Sequence, residues 1–244
     1  MTRLVWYRND LRVSFHRPLQ AAMATDEPVR ALYLLCPDQW RQHDVAPIRQ
    51  WYVLASLLEL GDSLAELGVE LDVIDCGDFA SVPDVLKRYV TQRGITDIHC
   101  CREYPLNELR RDRAAVAALE SDGVRFHGVD DAVLVPPKAL KTGQGGWYTV
   151  FSPYRRSWEK WLSEHGAHSD QAVRQRQPLS FPGRSVVEAA LNALNVPESL
   201  RQYWQPGEKA AREQLSRFIA NGLCSYDDRR DLPAEPCTSS WSAA

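Results

Sequence analysis

The feature that most constrains this chain is an alternation within its first 130 or so residues. Short apolar segments at Arg3–Tyr7, Val29–Leu35, Val69–Ile74, Asp97–Cys101 and Val124–Val129 read as buried strands. Between them lie stretches with helical periodicity: Pro18–Ala24, a long one opened by Pro47, Val82–Gln92, and one running through Glu108 to Ser121. In the long stretch Ile48, Trp51, Tyr52, Ala55, Leu58 and Leu64 recur on one face, and Gly68 ends it. Strands alternating with helices predict an α/β fold built on a doubly wound, five-stranded parallel sheet. Right-handed crossovers then collect the loops that follow the strands along one edge, where such sheets bind ligands. Arg8 to Arg12, Cys36 to Asp44 and Arg102 to Glu108 would meet there.

Composition excludes several classes. The 244 residues are 44% hydrophobic and 25% charged, long enough for one domain with an addition. A net charge of -3 and a pI near 6.1 leave any nucleic-acid contact to a local patch. Apolar runs of membrane length are absent, and Met1-Thr2-Arg3 leads straight into a strand, so the expected location is the cytoplasm. Cys36, Cys76, Cys100, Cys101, Cys224 and Cys237 form no C-x-x-C pair and read as reduced, mostly buried thiols. His165 and His168 have ligand spacing but lack Cys or acidic partners, so no metal is expected.

From Lys141 the pattern changes. Lys141 to Tyr148 is glycine-rich but lacks the residue order of a phosphate loop. Thr149 to Trp158 opens a helix in which Tyr154, Trp158 and Trp161 read as the buried face. Residues 166–207 have a linker's Gln, Ser, Pro and Arg content, with a short helix at Val186–Leu194. A clear helix spans Glu208–Ala220 and stops at Asn221-Gly222.

Several motifs, in order, resemble the DNA photolyase/cryptochrome family. They are Trp6-Tyr7-Arg8-Asn9-Asp10-Leu11-Arg12, Cys36 with Trp40, and Tyr104-Pro105-Leu106-Asn107-Glu108. T-G-x-G ahead of Tyr148, Pro206-Gly207-Glu208, Y-x-x-x-R-D-x-P from Tyr226, and Thr238-Ser239-Ser240-Trp241-Ser242 follow. The details lean toward bacterial enzymes that repair cyclobutane pyrimidine dimers with a folate antenna. The resemblance implies a Rossmann-like antenna domain over 1–135 and a connecting helix and linker over 136–207. It makes 208–244 the start of an all-α FAD domain whose remainder would follow Ala244, so the chain reads as a fragment inactive by itself.

The same resemblance assigns sites. His43, Asn107 and Glu108 match positions that contact 5,10-methenyltetrahydrofolate; by residue type alone, Glu108 is an acid complementing a helix N-terminus. Tyr226, Thr238, Ser239, Ser240, Trp241 and Ser242 match an FAD-binding set, and Arg230 a DNA contact. The implied enzyme is a monomeric deoxyribodipyrimidine photo-lyase acting on damaged DNA by electron transfer from reduced FAD, a cofactor-borne chemistry on a flipped base. A cryptochrome-type blue-light signalling protein is the alternative within the family. A non-catalytic nucleotide- or flavin-binding α/β module is another outside it, and Arg8-Asn9-Asp10 suits that poorly, having no glycine and an acid. Two departures stand out. Phe15-His16-Arg17 replaces the family's Asp-Asn pair, removing the usual cap of the first helix, and Trp241 replaces a smaller aliphatic residue.

Overall fold

The structure, a computed structural model, describes residues 1–167, 173 and 176–232. The chain runs β1 (Thr2–Tyr7), α1 (Arg17–Met23), β2 (Val29–Leu35), α2 (Pro37–Gln42), α3 (Pro47–Glu66), β3 (Glu70–Asp75), α4 (Val82–Arg93), β4 (Ile95–Cys101), α5 (Leu106–Glu120) and β5 (Arg125–Val129). After these come α6 (Phe151–His165), α7 (Arg184–Asn192), α8 (Glu198–Arg201), α9 (Glu208–Asn221) and α10 (Tyr226–Arg229). The strands form one five-stranded sheet in the order β3-β2-β1-β4-β5, the parallel α/β architecture that the alternation predicts. β1 is central, and Leu4, Val5, Trp6 and Tyr7 are at most 1% exposed, as a strand covered on both faces requires. The order reverses beside β1, which makes the carboxyl ends of β1 and β4 a switch point.

Two compact units make up the fold. The first is built on Met1–Asp10, Ser14–Ala31 and the stretch from Ala80 through α6. In it Arg3 lies opposite Asp97 and Val5 opposite His99, while Ile98 faces Phe126 and His99 faces His127 on β5. α4 ends in Gly94, whose φ of 61° closes the helix in the left-handed region. α6 differs from expectation, because it buries none of its residues; Tyr154 is 40% exposed and Trp161 stacks on His165 instead.

Leu11–Val13, Leu32–Phe79 and the C-terminal helices form the second unit. Its linker-like sequence is docked. The Leu179 amide donates to the Ala65 carbonyl at 2.9 Å and Gly183 to Leu71 at 3.0 Å, covering the edge strand β3. Phe181 lies against Gly61 of α3, close enough that any β-carbon there would clash. Polar composition hides this, since the docking runs through backbone and two small residues. α9 is held the same way. Glu59 accepts from the amides of Glu208 (2.5 Å) and Lys209 (3.2 Å), and the Ser56 hydroxyl accepts from Gly207. A remote carboxylate thus caps the amides that a helix start leaves unpaired and complements its dipole. Past Gly222 a 3₁₀ turn at Leu223–Ser225 leads into α10.

Gly207 has φ 93°, which only glycine adopts readily, and an added β-carbon would strike the Glu59 carboxylate. Gly94 meets open space. We therefore expect Gly94→Ala to cost about 1 kcal/mol, and Gly207→Ala roughly 2–3 kcal/mol with loss of α9 docking, in urea unfolding. Equal costs would show that Glu59 does not clamp α9.

Candidate functional site

The switch-point rim is assembled from the turn after β1 and the start of α5. Arg8 is 6% exposed, and its Nη2 donates to the Cys101 carbonyl at the end of β4. Its Nε lies 3.7 Å from Glu103 and its Nη1 3.5 Å from Asp112. The guanidinium sits 4.5 Å from the Trp6 ring centre, and Arg111 of α5 lies 5.0 Å from the same ring. Arg111 in turn donates to Glu103 and Asp112 at 2.7 Å, and Asn9 donates to Glu103. Burial opposes the charge on Arg8, and Cys100, Asp112, Glu103 and Asp10 outweigh it, so its pKa rises. Two cations and their carboxylates neutralise one another around one indole. Such a network braces the rim, while Arg8 Nε, Arg8 Nη1 and the Trp6 indole N–H are buried with no hydrogen-bond partner among the described residues.

Beside it, Asp10 closes the turn by accepting from the Arg8 amide at 2.9 Å. Its other oxygen meets His16 Nε2 at 2.7 Å, while His16 Nδ1 accepts from the Leu19 amide at 3.1 Å. Accepting at Nδ1 leaves Nε2 as the nitrogen that donates to Asp10. His16 is fully buried, stacked on Tyr7, and is the N-cap of α1. The apparent loss of a cap at Phe15-His16-Arg17 is therefore corrected: an imidazole does the work of a short polar cap. Burial alone would raise the Asp10 carboxyl, but His16 and Arg8 hold it well below the usual carboxylate range.

Asn107 and Glu108 stand together in the first turn of α5, exposed and half-buried respectively. Tyr104 places them. Its hydroxyl donates to Asp130 at 3.0 Å, and Pro105 then starts a helix whose N-terminus has no side-chain cap. Burial first, then this bond and the Asp130 charge, push the Tyr104 phenol up. His43 follows α2 in the other unit and is exposed, next to Asp44 at φ 49°. Tyr226 begins α10, edge-on to Phe218 at 5.9 Å. Arg230 is ion-paired with Asp227 at 3.6 Å and Asp231 at 3.9 Å. Thr238, Ser239, Ser240, Trp241 and Ser242 lie outside the described residues. Cys36, Cys76, Cys100 and Cys101 are buried thiols outside any disulfide, and Cys224 is an exposed one.

Sequence reasoning missed the Arg111–Glu103 pairing, His16 as a cap, and a third cluster on β4 and β5. The signal for the last is faint: Asp97-x-His99 and Arg125-x-His127 repeat a charged or polar residue at alternate positions of two neighbouring strands.

Comparisons with known proteins agree with the fold. A profile of the family described as DNA photolyase matches residues 3–176. The deoxyribodipyrimidine photo-lyase of Escherichia coli is 34% identical over 247 residues, covering 100% of this chain and 51% of that protein. Among solved structures, a bacterial class III photolyase from Agrobacterium tumefaciens superposes with a TM-score of 0.68 at 26% identity, covering 98% of this chain and 48% of the other. A Synechocystis cryptochrome gives 0.73 at 22% identity, covering 94% and 48%. The chain spans about half the length of the curated relatives it matches.

Removing His16 strands the Asp10 carboxylate and uncaps α1. His16→Ala should cost about 3 kcal/mol or more in urea unfolding, and His16→Asn should recover roughly 1 kcal/mol by restoring a cap. The folded Asp10 carboxyl ionises below its ordinary 3.8, so its stabilisation is complete above that pH and is lost as pH falls toward the lower folded value. Asp10→Asn should flatten this acid limb, and an unchanged limb would remove Asp10 from the account.

Proposed function

Because the chain belongs to the DNA photolyase family, we propose that it is the antenna-bearing portion of a deoxyribodipyrimidine photo-lyase that repairs cyclobutane pyrimidine dimers in DNA. The observation that carries this reading is the 34% identity to the Escherichia coli enzyme along the whole chain. In this reading, residues 1–135 form the antenna domain, 136–207 the connection, and 208–244 the start of the FAD-binding helical domain. The docking of α9 on Glu59 and Ser56 supports a helical domain that starts from a fixed point.

Bound folate would supply light absorption and bound FAD the electron that splits the dimer. The chain's own part is to bind and orient. The first turn of α5 suits a pterin edge, since Glu108 offers a carboxylate acceptor, Asn107 a carboxamide, and the helix start uncapped amides. His43 is assigned to the same ligand by resemblance. Of the flavin set only Tyr226 is among the described residues, so no flavin contact is derived. Arg230, paired to two aspartates, would give one phosphate contact at most, too few for DNA affinity at physiological salt.

The test is dimer loss from ultraviolet-irradiated DNA, with and without blue light. The 244-residue chain should repair nothing alone. Joined to the helical domain of the Escherichia coli relative, it should repair in the light and not in the dark. Repair by the short chain overturns the fragment reading, and failure of the joined chain favours a cryptochrome-type role.

The antenna assignment has its own measurement. Methenyltetrahydrofolate should bind the chain weakly, with Glu108→Ala costing roughly 1–3 kcal/mol by leaving ligand donors unpaired. Equal titrations of wild type and variant by the folate's near-ultraviolet absorption would take Glu108 out of the site.

A further inference from the structure

Asp97, His99 and His127 converge on the face of the sheet that α1 covers, away from the switch-point rim. Strand register brings them there. Asp97 and His99 are alternate residues of β4, and His127 is the direct partner of His99 on β5. The same face carries Arg3, which lies opposite Asp97 on β1 and donates to the Ala21 carbonyl of α1 at 3.2 Å. One ligand atom from each of the three residues lies within 4.8 Å of the other two. His127 Nε2 is 2.8 Å from Asp97 Oδ1, and its ring stacks on His99 with centres 4.6 Å apart.

The second observation concerns His99 itself. It is 6% exposed, and neither ring nitrogen has a hydrogen-bond partner among the described residues. Buried imidazoles ordinarily spend at least one nitrogen on a hydrogen bond, and one left bare asks for an explanation such as an ion. We infer that Asp97, His99 and His127 form a binding site for one divalent transition-metal ion of the zinc class.

Two imidazoles and one carboxylate suit zinc-class ions and give three protein ligands with an open fourth position. Access exists, since the His127 side chain is 42% exposed on the edge strand. Binding requires His127 to tilt out of its stack and exchange its Asp97 hydrogen bond for the ion. It also requires Arg125, now bidentate on Asp97 at 2.7 and 2.8 Å, to yield one oxygen. Its side chain is 65% exposed and can swing into water. Arg3, the other nearby cation, is already paired with Glu27 at 2.6 Å. The site would pin the edge strand β5 to β4.

The experiment is a titration of the chelator-treated 244-residue chain with Co²⁺ alone, read by visible d–d absorption, followed by displacement with Zn²⁺. One ion per chain is expected. His127→Ala removes an exposed ligand, should stay folded by circular dichroism, and should weaken binding at least about 100-fold. Arg125→Gln removes the competing cation and should tighten binding several-fold, which loss of a merely structural ion pair would not do. Zn²⁺ should raise the melting temperature of wild type and not of His127→Ala. Absence of d–d bands, an intense thiolate charge-transfer band showing cysteine ligation, or equal affinity across wild type and both variants would each overturn the site.

Discussion

The buried guanidinium of Arg8 is the constraint on which the first unit depends. β1 occupies the centre of the sheet, so the charge at its end emerges into a region with little water. An unpaired charge there would cost several kcal/mol. The chain answers with Glu103 from the end of β4, Asp112 from α5 and a carbonyl from Cys101, while Trp6 offers its ring face. The partners come from the exit of β4, from α5 and from β1, so neutralising Arg8 fixes the turn after β1, the exit of β4 and α5 against one another. Asp10 extends the bracing to α1 through His16. The lip that carries Asn107 and Glu108 is therefore held by a frame whose own charges are already satisfied.

The second unit solves a related problem with backbone groups. A helix beginning at Glu208 exposes unpaired amides, and Glu59 and Ser56 on α3 take them up. Glu208 reciprocates by accepting from the Val13 amide at 2.8 Å. The Pro206-Gly207-Glu208 motif thereby acquires a physical meaning: a glycine that turns where other residues cannot, and an acid that ties the helix start to a distant loop. A domain grown from α9 would inherit a fixed starting direction.

The histidine cluster has a different character from both. The rim network offsets its buried charges with ion pairs, although Arg8 Nε, Arg8 Nη1 and Trp6 Nε1 make no hydrogen bond among the described residues, whereas the β4–β5 cluster leaves both nitrogens of His99 bare while loading Asp97 with Arg125, His127 and Thr96. Hydrogen bonds to Arg125, with His127 and Thr96, hold the Asp97 carboxyl far below its ordinary range against the effect of burial. A carboxylate that stays ionised beside a bare imidazole is a ligand pair waiting on a third, and His127 is already in hydrogen-bond range of it.

The sequence by itself determined the strands, their alternation with helices and hence the parallel sheet, because those follow from periodicity and turn chemistry over a few residues. Pro47 opening α3, Gly68 closing it and the apolar run of β1 are each legible without their neighbours. It also carried the family motifs, and so Asn107 and Glu108 as candidates. The tertiary structure alone decided what those motifs touch. His16 reads as a lost cap until Asp10 and the Leu19 amide surround it. The 166–207 stretch reads as a linker until Phe181 finds Gly61. Glu59 and Glu208 meet across 149 positions, and Asp97 and Arg125 across 28, so no local pattern marks either pair. Crossover handedness and strand register set those distances, and both emerge only when the whole sheet closes on its core.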